Sequence, residues 1–177
     1  MKRTKTGTQA NYLAFFIVSI LMLLMSSKGS AQTTFSGKWT LKQRASLAGP
    51  DYANAAPKAL TVSETKDSIT IERENIDGNG QKSKTSETVS KDGNPNIITT
   101  FSKRQKTITI AYSKSEKTFK ESANLSQPTD KNKADYSYSE NWSVSDDGKQ
   151  LIVIKNFESS KNTFDKWSIK AEYEKLE

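Results

Sequence analysis

Residues 136–144 read Tyr-Ser-Tyr-Ser-Glu-Asn-Trp-Ser-Val. Tyr136, Tyr138, Glu140, Trp142 and Val144 fall on one parity, and Ser137, Ser139, Asn141 and Ser143 on the other. A period of two places one set on each face of a β-strand. Large rings on one side and small polar groups on the other mark a strand buried on one face only. The turn Asp146-Asp147-Gly148 follows, and Leu151 to Phe157 resumes the alternation. Trp167 to Tyr173 closes the chain in the same way.

Upstream the pattern repeats. Gly37 to Leu41, Leu60 to Val62, Ile69 to Ile71, Ser83 to Ser90, Ile97 to Phe101, Thr107 to Tyr112 and Thr118 to Ala123 all read as strands. Turn signals stand between them at Asp77-Gly78-Asn79-Gly80 and Asp92-Gly93. Ala45 to Lys58, with Gly49-Pro50, alanines and Pro57, reads as a loop with at most one helical turn. No stretch keeps apolar residues at helical spacing over 10–12 positions, which rules out parallel βαβ architecture. The expected fold is all-β: an antiparallel up-and-down barrel of about 8–10 strands, with a sandwich as the competing form.

The first 31 residues differ in kind. Lys2, Arg3 and Lys5 precede a 14-residue apolar run from Tyr12 to Met25, and Gly29-Ser30-Ala31 supplies a small-residue cleavage site. That is the pattern of a cleavable signal peptide over 1–31. The run is shorter than the roughly 20 apolar residues a membrane span needs. Residues 32–177 are then one exported domain, periplasmic or extracellular, with no membrane span after cleavage. Four basic and no acidic residues leave with the signal, so the net charge drops from +7 to +3. Lysines interleave with Glu and Asp along the alternating segments, so no nucleic-acid partner is expected.

The chain has no Cys and no His. This removes disulfide staples, thiolate nucleophiles, the commonest general base and the commonest metal ligand. No catalytic residue, metal site or cofactor is expected. Leu, Ile, Val and Phe make up only about 17% of residues 32–177, a thin supply for a filled core. A hollow barrel would need fewer of them.

One carboxylate is singled out by its position. Glu140 shares a face with four large apolar or aromatic residues, and an inward carboxylate is costly unless paired or hydrated. Two readings stand. Glu140 is a polar anchor in a ligand cavity, or it lies at a bulge or edge from which it reaches water or a lysine. The cavity candidates are Tyr136, Tyr138, Glu140 and Trp142 with Ile108, Ile110 and Tyr112 from an inward-facing strand. Trp39, Trp142 and Trp167 sit on apolar faces and read as core. Lys103-Arg104-Gln105-Lys106 reads as a solvated connection.

Phe35-Ser36-Gly37-Lys38-Trp39 resembles the opening of a lipocalin, whose first strand carries a G-x-W motif. The bacterial lipocalin-like domains share further layout. The loop from Ala48-Gly49-Pro50 to Pro57-Lys58, the hairpin Ser145 to Leu151 and the closing Tyr173-Glu174-Lys175 resemble theirs. The resemblance implies a barrel closed at one end by Gly37 and Trp39, with a late basic residue against that Trp; Lys170 and Lys175 are the candidates. It also implies a small hydrophobic ligand held in the barrel without catalysis. The usual C-terminal helix and cysteine pair of the family are not evident. The alternative is a structural or interaction domain of the cell envelope with a protein partner and no cavity.

Overall fold

The computed structural model describes residues 34–52, 55–77, 79–100, 103–113, 115, 117–127, 129–162 and 165–176. Residues 1–31, read as a signal peptide, and Phe101 and Gly78 lie outside the described residues. Ten antiparallel strands follow one another: β1 (Gly37–Ala48), β2 (Ala59–Glu64), β3 (Ser68–Ile76), β4 (Lys82–Ser90), β5 (Asn96–Thr99), β6 (Gln105–Ser113), β7 (Thr118–Ser126), β8 (Ala134–Val144), β9 (Gln150–Ser159) and β10 (Lys166–Leu176). They form a single sheet in the order β4-β3-β2-β1-β10-β9-β8-β7-β6-β5. Every neighbour except β1·β10 is a sequence neighbour, as an up-and-down barrel requires. β4 and β5 end the hydrogen-bonded order, and β4 meets β6 through side chains, so the barrel is nearly closed.

The strand positions agree with the alternation. The main departure is β1, which runs on through Ala48 although the sequence reads as a loop from Ala45. Two register shifts, between Leu41 and Gln43 and between Ser46 and Ala48, break its phase against β10. A bulge destroys the period-two signal while keeping the ladder, so the strand is real and its pattern is not visible.

Successive hairpins alternate between two ends. One end is closed. Trp39 is fully buried there and donates from Nε1 to the Phe35 carbonyl at 2.9 Å. Lys175 lies over its ring at 5.2 Å, filling the place of the late basic residue. Gly37 makes this contact possible, since a Cβ there would stand 2.5 Å from Lys175 Cε. Phe119 packs edge-on against Phe35 and stacks on Trp142. Glu64 ties this end together. Its carboxylate accepts from Phe35 N at 2.6 Å, Lys91 Nζ at 2.8 Å and Tyr112 OH at 3.0 Å.

Candidate functional site

Between the ends, the barrel interior holds an ionic layer. Inward positions of β3, β4, β6, β7, β8 and β9 bring together Arg73, Glu87, Lys106, Glu121, Tyr138, Glu140 and Lys155. Arg73 Nη2 reaches Glu121 at 2.9 Å and Glu140 at 3.1 Å, and its Nη1 reaches Glu87 at 3.1 Å. Lys106 pairs with both oxygens of Glu87 at 2.7 Å, which links β6 to β4 across the seam. Lys155 Nζ stands 3.0 Å from Glu140 Oε1. Tyr138 OH donates to Glu121 at 2.7 Å and Trp142 Nε1 to Glu140 at 3.1 Å. Three cations face three carboxylates, so the layer is neutral, which is the condition for tolerating buried charge.

Glu140 therefore satisfies neither expectation in full. It sits in an unbroken stretch of ladder, opposite Glu121 on β7 and Lys155 on β9, and not at a bulge or edge. It does reach a lysine, from inside. Burial works against its charge, and Lys155 and Arg73 more than offset that, holding the carboxyl well below the usual range. Tyr138 is pushed far above the ordinary phenol range by burial, with Glu121 and Glu140 adding to the effect. The ionic layer fills space that the thin apolar core leaves. Beside it, Arg73, Glu140, Trp142, Val153, Lys155 and Tyr173 border a void of only about 10 Å³, about one water molecule.

The room is at the other end. The mouth holds a recess of about 560 Å³, open to solvent. Tyr52, Ala55, Leu125, Tyr136, Tyr138, Lys155, Phe157, Asp165 and Trp167 line it. Trp167 and Phe157 are cross-strand partners, with centroids 5.0 Å apart and planes at 12°. Tyr136 leans on Phe157 at 5.6 Å, and Tyr52 meets Trp167 edge-on at 6.0 Å. Tyr52 arrives by way of Gly49. At φ +71° this glycine lets the loop cross β10 so closely that a Cβ would stand 2.2 Å from the Lys166 carbonyl. Arg44 donates to the Tyr52 carbonyl and pairs with Asp51 at 3.0 Å, holding the loop down. On the far rim, buried Asp135 takes Arg104 at 2.8 Å and Lys161 at 3.1 Å.

Of the residues expected to line a cavity, Tyr136 and Tyr138 border the open recess, and Glu140 and Trp142 border the small void. Ile108 and Ile110 are fully buried in the apolar core. Tyr112 belongs to the closed end, where burial and Glu64 push its hydroxyl up to about 12. The Lys103–Lys106 segment is a solvated connection only at its start, where exposed Lys103 and half-buried Arg104 turn the chain from β5 into β6. Lys106 is the first inward residue of β6, and Arg104 covers the Tyr136 ring at 5.2 Å. Sequence reasoning missed Arg73, Glu87, Lys106, Glu121 and Lys155. The signal was present, since each shares parity with buried apolar residues on its own strand: Ile69 and Ile71, Val89, Ile108 and Ile110, Phe119 and Ala123, Leu151 and Val153.

No protein-family model and no curated protein sequence matches the chain. Among solved structures, two variants of the fluorescent protein UnaG are similar in fold. They share 10% and 11% identity, cover 81% and 80% of this chain and 96% of their own, and give a TM-score of 0.45 in both cases. Likeness at this level says nothing about ligand or activity.

Proposed function

We propose that this chain is an exported, non-catalytic protein that binds a small, largely apolar molecule in the recess at the mouth of its barrel, as the lipocalin-like layout implies. The observation that carries the reading is the recess itself: about 560 Å³, walled by Tyr52, Tyr136, Tyr138, Phe157 and Trp167. That volume lies within the usual range for small-molecule sites, and an apolar wall with few polar groups is their usual lining. The ligand stays at the mouth, because side chains occupy the middle of the barrel.

One experiment tests both halves. The full chain is expressed, recovered from the exported fraction and weighed under denaturing and native conditions. A denatured mass lacking residues 1–31 supports export, and retention of those residues overturns it. A native mass exceeding the denatured one by a small molecule supports the ligand reading. Equal masses, together with no saturable binding of anilinonaphthalene sulfonate, overturn it. The filled interior favours the second reading in that case, a partner-binding envelope domain.

A further inference from the structure

We infer that the mouth recess selects a planar aromatic molecule bearing an acidic group, which it holds with that group at Lys155. This inference rests on the recess being a ligand site.

The first argument concerns the rings. Tyr136, Phe157 and Trp167 project inward from β8, β9 and β10, and each leans on its neighbour along the wall. Phe157 and Trp167 turn faces to one another at 12°, so those two faces are taken up within the wall. An aromatic edge is the positive side of the ring quadrupole, so ring edges that reach the recess favour the π face of a flat guest and its acceptor oxygens. A cation needs a ring face. The protein's own cations already stand over both inward tyrosines. Arg104 stands over Tyr136 at 5.2 Å, and Lys106 and Lys155 over Tyr138 at 5.1 and 4.5 Å. An organic cation would therefore meet a protein cation already seated at each of these rings.

The second argument concerns charge. Lys155 borders both the recess and the ionic layer, and its side chain is 21% exposed. An ammonium has three donors, and Glu140 Oε1 takes one. At the rim stands Asp165, which receives Tyr52 OH at 3.4 Å. With a cation at the floor and a carboxylate at the rim, an acidic guest is turned acid-end inward. It cannot go deeper, because Arg73 is already committed to Glu87, Glu121 and Glu140.

The test compares three probes of one shape on the exported protein by calorimetry: 2-naphthoate, 2-naphthamide and 2-naphthylmethylammonium. The acid should bind roughly tenfold or more tighter than the amide, as a charge-assisted hydrogen bond provides, and the ammonium most weakly. This comparison needs no variant. Lys155→Met, checked for folding by its melting transition, should erase the acid's advantage over the amide. Lys155→Arg should preserve the advantage. Equal affinity for acid and amide, or preference for the ammonium, overturns the inference while leaving the recess a ligand site. Failure of all three to bind overturns the inference and the reading of the recess together.

Discussion

Glu140 shows how far one residue can be read from a sequence. Its parity with Tyr138 and Trp142 placed it inside the barrel, and the structure puts it there at 3% exposure. Its partners could not be read the same way. Lys155 meets it as the ladder partner on β9, which depends on the hairpin register, while Arg73 lies 67 positions away and reaches it only through barrel closure. The pairing makes stability depend on pH with a definite sign. The folded carboxyl is held below its ordinary value of 4.5, so the folded state binds fewer protons than the unfolded one in the acid range. The stabilisation is therefore fully present above about pH 4.5 and is lost as pH falls below it. Removing one member of a buried ion pair costs about 3–5 kcal/mol. Glu140→Gln should lose stability of that order at pH 7 in urea unfolding, and should lose less than the wild type on acidification from pH 5 to pH 3. Glu74, Asp92, Asp147 and Glu172 are also held low by surface contacts. Both proteins share them, so these surface groups cancel in the difference between the two curves. Parallel curves would show that the ion pairs at Glu140 do not stabilise the fold.

Among the elements, each strand was legible wherever its ladder is regular, because one-sided burial imposes a period of two. Legibility failed where the period failed, at the two bulges of β1, and where a loop takes its position from contacts with other strands. The loop after β1 is the instructive case. Gly49 and Pro50 mark a turn in any sequence reading, but only the fold shows that Gly49 is pressed against Lys166 and Trp167. A second glycine isolates that effect. Gly80 has a similar φ of +78°, and a Cβ there would meet nothing within 4 Å, so its replacement meets backbone strain alone. Gly80→Ala should cost about 1 kcal/mol, the penalty for an L-residue at positive φ. Gly49→Ala carries the same strain plus the collision, and should cost roughly 1–3 kcal/mol more. The loop it displaces carries Tyr52 away from Trp167, so affinity for the naphthoate probe should fall as well, while Gly80→Ala leaves it unchanged. Equal destabilisation of the two variants would mean that the close approach of loop and β10 is not tight in solution.

For the whole molecule, the ladder and the ionic layer divide the work of holding the barrel shut. Backbone pairing runs unbroken from β4 round to β5, and the recess is built on β8, β9 and β10 in the middle of that order. At the seam, β4, one end of the order, meets β6, one strand in from the other end, and there Lys106 clasps Glu87. Edge strands with unpaired amides open at lower free energy than central ones. Amides of β4 and β5 should accordingly exchange with deuterium at least about tenfold faster than those of β9 and β10. Lys106→Met removes the clasp but keeps an inward side chain of similar length. It should accelerate exchange in β4 and β6 while leaving β9 and β10 near their wild-type rates, and should weaken naphthoate binding only slightly. That combination would place the ligand wall on the rigid side of the barrel and the compliance on the opposite side. If exchange rises equally in all strands, the seam is no separate unit, and the barrel opens only by unfolding as a whole.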